Sequence, residues 1–317
     1  MGKYLLQRLL ATIPVLIGTS LFTFLLVRLV PGDPVQIMLG PEVQGNAREE
    51  ISRLYGLERP WSVQYLEWVG NVLRGDLGTS IRTRTPVAES IWQRLPTTLE
   101  LTILALAIGL SIGITFAIIA AQHRGHLADA ISSFFVLIGI SMPGFWLATL
   151  LVLVFALYLR WLPSIGYTPI LEDPMENLRR MILPALSLGV AFAATTMRFT
   201  RSSLLEVYNQ DYVRTARAKG LREDSIIYRH ALKNAIIPVV TVTGIQVGRL
   251  LGGAVIIEQI FALPGIGRYV FDAISQRDYP VIQGTVLFFT IMFILVNLLV
   301  DVLYGMLDPR INVAGAG

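Results

Sequence analysis

The chain has 317 residues, 54% hydrophobic and only 15% charged, with a mean hydropathy of +0.61. That composition belongs to an integral membrane protein and not to a soluble domain with a single core. There is no cysteine, and the three histidines (His123, His126, His230) form no His-Glu-x-x-His spacing, so disulfides, Cys-ligated metal and iron–sulfur clusters are excluded and no metal-ligand motif is offered. The net charge of +4 and pI near 9.4 fit the basic short loops of a membrane chain, and no basic, aromatic-interleaved module points to nucleic acid.

A hydrocarbon core about 30 Å thick takes roughly 20 apolar residues in helix. Six stretches meet this, near 9–30, 98–121, 130–158, 181–200, 236–259 and 282–306, which predicts an all-α membrane protein with six transmembrane helices. The first follows Lys3 and Arg8. Its apolar run exceeds a signal-peptide core and no small-residue cleavage site follows, so it reads as a retained helix over 1–30.

Residues 31–97 carry seven Arg and eight Asp/Glu and read as a small external subdomain. Pro/Gly turns at 31–34, 40–41 and 75–78 divide it, and Trp61, Tyr65, Trp68 and Trp92 sit in locally helical patterns. An amphipathic cover on the membrane surface and a substrate-guiding element are equally compatible with it. Next comes a membrane core over 98–306. Within its third span Pro143-Gly144 predicts a kinked or tilted helix, and Ser141 and Met142 before it mark either a gate or a packing kink. Pro184 and Pro238 are expected near helix starts, where a missing N–H costs little.

Orientation follows from the short loops. The 201–235 loop has seven Lys/Arg against four Asp/Glu, and the 122–129 loop has Arg124 and no acid before Asp129. Both therefore face the cytoplasm, and with six spans so do both termini, including the tail 307–317.

Polar residues inside the spans are few. Gln246, Arg249 and Gly253 share a helical face, which either lines a translocation path or a seam with a partner, or merely packs. Glu258, nine positions after Arg249, falls on the opposite face and cannot pair with it. Asn297 and Asp301 share a face and suit bonding to a neighbouring helix.

The most ordered hydrophilic segment is Asp211–Asn234. Asp211 can cap a first helix through Lys219, Gly220 can end it in the left-handed conformation, and Glu223-Asp224 can open a second helix at its positive end. Ala216 and Ala218 are small enough for close approach by a partner, and Arg214, Arg217, Lys219 and Arg222 form a basic rim. A solvated hairpin on lipid headgroups is the alternative.

This segment resembles the cytoplasmic coupling loop of ABC-importer permeases, whose pattern is Glu-Ala-Ala, three residues, Gly, nine residues, Ile-x-Leu-Pro. Anchored on Gly220, Ala216 stands at the second alanine and Leu232 at the leucine. Arg214 replaces the glutamate, Thr215 the first alanine, His230 the isoleucine and Lys233 the proline. The run Asp211-Tyr-Val-Arg-Thr-Ala-Arg-Ala-Lys-Gly-Leu221, with Arg229-His-Ala-Leu-Lys-Asn-Ala-Ile-Ile-Pro238, is similar to the B-type permease of the dipeptide/oligopeptide branch, which also includes glutathione and nickel importers.

The resemblance extends along the chain through Leu29-Val-Pro-Gly-Asp-Pro34, Gly75-Asp-Leu-Gly-Thr-Ser80, Leu95-Pro-Thr-Thr-Leu99, Arg198-Phe-Thr-Arg-Ser-Ser203, Leu251-Gly-Gly-Ala-Val255, Pro264-Gly-Ile-Gly267 and Arg277-Asp-Tyr-Pro280. It implies a type I importer permease (MetI-like) fold and a heterodimer with a homologous second permease. It also implies two cytoplasmic ATPase subunits that bind the ATP and Mg, an external solute-binding protein, and surrounding membrane lipid. The ATPase-coupling residues it implies are Tyr212, Arg214, Thr215, Ala216, Arg217, Ala218, Lys219, Gly220 and Leu221.

The residues agree on one point independently: no Gly-x-x-x-x-Gly-Lys-Ser/Thr loop is present, so an ATP-driven step must be performed by a partner, and the chain itself holds no cofactor and no catalytic set. A stand-alone proton-coupled transporter would need intramembrane Asp, Glu or His chains, and an intramembrane hydrolase a paired catalytic set. The spans offer neither.

Overall fold

The computed structural model describes residues 2–29 and 58–307; the turns predicted at 31–34 and 40–41 and the tail from 308 lie outside the described residues. The chain is helical, and among the described residues the only extended pairing is an isolated bridge between Thr79 and Pro86. In order the helices are α1 (Gly2–Leu29), α2 (Trp61–Leu73), α3 (Val87–Gln122), α4 (Leu127–Ser141) and α5 (Gly144–Leu151), which continues as a wider π-helical stretch, Val152–Tyr158. Then come α6 (Pro174–Tyr208), α7 (Asp211–Ala218), α8 (Glu223–Ser225) with a π-helical turn Ile226–Ala231, α9 (Leu232–Ile260), α10 (Ile266–Gln276) and α11 (Tyr279–Leu307).

Among the described residues three helices are long and apolar enough to cross a bilayer: Val87–Gln122, Pro174–Tyr208 and Tyr279–Val302. Two bent pairs pass the same requirement, Leu127–Ser141 with Gly144–Tyr158 and Glu223–Ile236 with Pro238–Gly248. That makes three to five spans among the described residues; the shorter apolar stretch Leu10–Leu25 of α1 lies at the first expected position but is below spanning length.

Two expectations are corrected. The third stretch is not a kinked helix but two helices meeting at 104°. Met142 is extended (φ −86°, ψ 123°) because the proline ring after it disfavours helical geometry, and Pro143 (ψ 136°) then starts α5. Pro184 and Pro238 are interior, because their helices begin at Pro174 and Leu232, outside the apolar runs. Around Pro238 the chain bends by 48°.

Helix α6 is the interior element. Asp173 caps it, accepting from the amides of Met175 and Glu176 at 3.0 Å, with Pro174 at the first helical position. Its Met181, Leu183, Leu188 and Phe192 pack with Leu101 and Ala105 of α3 and Leu250, Ala254 and Ile257 of α9. Contact with α3 is backbone-close: a Cβ at Gly109 would lie 2.2 Å from Phe192, and one at Gly113 2.7 Å from the Ala193 carbonyl. Only glycine permits that approach.

The periphery is formed by α1 and α11, tied together by Arg8 and Asp301 at 3.2 Å. Asp301 thus bonds a neighbouring helix as expected. Asn297 does not, since it donates to the Phe293 carbonyl one turn back at 2.8 Å.

Candidate functional site

Helix α7 is a two-turn amphipathic rod. Its N-cap is Gln210, without a side-chain cap, so Asp211 is a first-turn acid and not the cap expected; it faces Arg214 at 3.8 Å. At the other end Gly220 sits at φ +74°, its amide donating to Arg217 O (2.9 Å) while Leu221 N donates to Ala216 O (3.3 Å). That pair of bonds is the glycine-ended helix stop read from the sequence.

The rod has two faces. Val213 and Ala216 are buried with Ile226, against Val207. Ala216 therefore packs inside the hairpin, and of the two alanines only Ala218 is outside. Tyr212, Arg214, Thr215, Arg217, Ala218, Lys219, Gly220 and Leu221 are exposed. Arg217 is a brace: its Nε donates to Glu223 Oε1 at 2.7 Å, spanning the glycine turn, and this bond raises the guanidinium's pKa further. Asn234 Nδ2 donates to the Tyr212 hydroxyl at 2.8 Å, fastening α7 to α9.

Below the hairpin the π-helical turn buries Ile227 and Ala231 against Leu204 of α6 and Ile118 and Ala121 of α3. The hairpin is thereby a rigid projection of the α3–α6–α9 base, presenting Arg214, Lys219 and Arg222 outward. Arg222 is loosely paired with Asp224 at 3.5 Å.

The pathway candidates separate. Ser141 is exposed and Met142 half-buried, both at the 104° break in a cleft shared with Pro143, Phe145 and Trp146. On α9, Gln246 is buried, and a Cβ at Gly253 would touch Leu188 of α6 at 3.2 Å, so these two positions lie within the chain's own packing. The side chain of Arg249 lies outside the described residues.

Three features escaped the sequence reading. Asp129 and Arg201 form a bidentate pair joining α4 to α6, with both bonds at 2.8 Å. Glu258, wholly buried, accepts from the Thr98 hydroxyl (2.7 Å) and the Arg268 amide (2.9 Å). Asp278, also buried, receives Ser80 and the amides of Ile81 and Arg82. In sequence Asp129 lies four residues after Gly125, Glu258 six before Pro264 and Asp278 two before Pro280, and no local signal singles any of them out.

Two family descriptions match the chain: "Binding-prot-dependent transport system membrane comp, N-term" over residues 1–102 and "Binding-protein-dependent transport system inner membrane component" over 113–313. The chain is 44% identical to the dipeptide transport system permease protein DppB of Alkalihalophilus pseudofirmus, over 98% of this chain and 100% of that one. It is 40% identical to the oligopeptide transport system permease protein AppB of Bacillus subtilis, over 98% and 100%. To the glutathione transport system permease protein GsiC of Escherichia coli it is 43% identical, over 98% and 99%. The fold is that of a chain in an inward-facing methionine ABC transporter, with a TM-score of 0.57 at 19% identity, covering 69% of this chain and 96% of that one. The chain therefore belongs to the family of inner-membrane components of binding-protein-dependent transport systems, as a multi-pass permease of the ABC-importer fold.

Proposed function

We propose that this permease is half of the membrane pathway of an ATP-driven importer of short peptides, paired with a homologous permease, two ATPase subunits and an external binding protein. The observation that carries the ATP-driven part is the α7 hairpin. It is a short ordered helix, braced across its glycine turn by Arg217–Glu223 and pinned to three long helices by Asn234–Tyr212 and the Ile227 cluster, with a small residue and three cations directed outward. A chain without a phosphate-binding loop needs such a seat for its engine. Closure of the ATPase pair would move the hairpin as a body and tilt the helices between two packings.

Peptides are the cargo that best joins the relatives, whose names specify dipeptides, oligopeptides and glutathione, itself a tripeptide. In this reading α7 and both termini are cytoplasmic, as the basic loops at 122–129 and 201–235 require. The break at Ser141–Met142 is a better candidate for the pathway wall than Gln246 or Gly253, because it is open to its surroundings while they are packed.

The test is reconstitution with the ATPases, partner permease and binding protein in liposomes. Uptake of a radiolabelled dipeptide should require ATP inside the cytoplasmic compartment and the binding protein outside. Uptake of glutathione or a nickel complex in preference to dipeptide would replace the cargo, and uptake without ATP would replace the whole reading.

A further inference from the structure

Helix α4 is held to α6 near its two ends, with an open apolar groove between them. At one end Arg201 Nε and Nη2 meet Asp129 Oδ1 and Oδ2, both at 2.8 Å, and the Gly125 amide adds a third bond to the same carboxylate at 3.1 Å. Asp129 is 8% exposed. Toward the other end Gly139 crosses Ala194, whose Cβ would lie 3.0 Å from a Cβ at Gly139.

Between these contacts lies a half-open apolar groove of about 170 Å³, bordered by Ile112 and Phe116 of α3, Phe135 and Val136 of α4, and Ala193 and Met197 of α6. With that groove open between them, the end contacts supply the polar and backbone-close joins of α4 to α6. Only Asp129, Ser132 and Gly139 of α4 are buried, and just beyond Ser141 the chain turns by 104°.

Arg201 stands at the other end of a rigid connection. Leu204, three residues on, is wholly buried against Ile118, Ile227 and Ala231, the cluster that seats the α7 hairpin. Arg201 and the end of α6 at Tyr208 are separated by two helical turns, about 10 Å. A displacement of α7 therefore carries Arg201 with it.

We propose that Asp129 and Arg201 are positioning residues for transport, the link through which movement of the coupling hairpin is passed from α6 to α4 and on to the break at Met142–Pro143. This rests on the reading of α7 as the ATPase seat. Breaking the link leaves the hairpin and its partner intact but lets α6 move without α4, so ATP is hydrolysed without matching uptake.

The experiment compares Asp129→Asn, Arg201→Gln and the reversal Asp129→Arg with Arg201→Asp in the reconstituted complex, scoring ATPase co-purification, binding-protein-stimulated hydrolysis and dipeptide uptake per ATP. Each single variant should keep co-purification and hydrolysis while uptake per ATP falls about tenfold, within the range of ordinary coupling between sites. The reversal should recover most of that loss, the non-additivity expected of a direct pair. Should a single variant fail to assemble, Asp129→Cys with Arg201→Cys in this cysteine-free chain keeps the question open to measurement: uptake per ATP should be low, and restored when a short bis-maleimide bridges the two. Parent-like uptake per ATP in the single variants, no recovery in the reversal, or no restoration by the bridge overturns the link. Failure of the parent complex to bind ATPases or to take up peptide overturns the earlier reading instead.

Discussion

Ser80 donates its hydroxyl to Asp278 across 198 positions of sequence, and the amides of Ile81 and Arg82 reach the same carboxylate at 3.1 and 3.4 Å. Both residues are buried. The hook 75–86 is thereby latched to the turn between α10 and α11, and Arg82 reinforces it by donating to the Gln276 carbonyl.

Asp278→Ala removes the acceptor while leaving the Ser80 hydroxyl and the Ile81 amide buried. The expected loss is about 1–3 kcal/mol of stability. Purified variant should melt earlier than the parent and be cut faster by trypsin after Arg82 or Arg84, both exposed on the hook. Unchanged cleavage at those two arginines would show that the carboxylate does not hold the hook.

A second junction is steric. Thr98 accepts from the Ile266 amide at 2.9 Å while donating to Glu258, so side chains from α3 and α9 together satisfy the N-terminus of α10. A Cβ at Gly265 would lie 2.2 Å from Glu258 Cδ, and one at Gly267 2.5 Å from the Val255 Cα. Gly265→Ala and Gly267→Ala should each destabilise by about 1–3 kcal/mol, as overpacked positions do. Glu258→Asp, shorter by one methylene, should partly rescue Gly265→Ala and give no rescue to Gly267→Ala, where the obstacle is backbone. Equal thermal midpoints for the two double variants would refute this assignment of the clash.

The membrane helices were legible because a long apolar run has few other uses, and the hairpin because Gly220 sits between two helical patterns. What was not legible depended on partners distant in sequence. The start of α3 at Val87 is hidden by Glu89, Gln93 and Arg94, polar residues of a helix that outlasts its apolar run. Arg94 lies over the Tyr269 ring at 4.3 Å, a contact that only the fold brings about. Ala216 offered a small surface in the sequence, but its direction depended on Val213 and Ile226 closing over the same face. Pro143 announced a bend, but only the extended Met142 before it decided how large.

Orientation is tested directly by single cysteines. Asn71, on α2, and Asn209, before α7, are both exposed and lie in segments proposed to face opposite sides. In intact cells Asn71→Cys should react with a membrane-impermeant maleimide and Asn209→Cys only after permeabilisation. Reaction of Asn209→Cys in intact cells would invert the topology and remove α7 from the reach of any cytoplasmic ATPase.

The coupling assignment makes opposite predictions for two alanines two residues apart. Ala218 is exposed on α7, so Ala218→Trp places a large ring on the presented face without disturbing the interior, and should leave insertion and thermal stability unchanged while abolishing co-purification of the ATPases. Ala216 is 7% exposed and closed in by Val213 and Ile226, so Ala216→Trp must overpack the hairpin itself, at about 1–3 kcal/mol or more, and should expose the 211–225 segment to protease before any partner is added. Gly220→Val forms a third case. At φ +74° a β-branched side chain strains the backbone by about 1–3 kcal/mol, which should tilt the presented face and uncouple hydrolysis from uptake without unfolding the long helices. The measurements are ATPase co-purification, limited proteolysis and uptake per ATP on all three variants. Full ATPase binding and parent-like uptake by Ala218→Trp would mean that this face touches no engine, whatever the other two variants do.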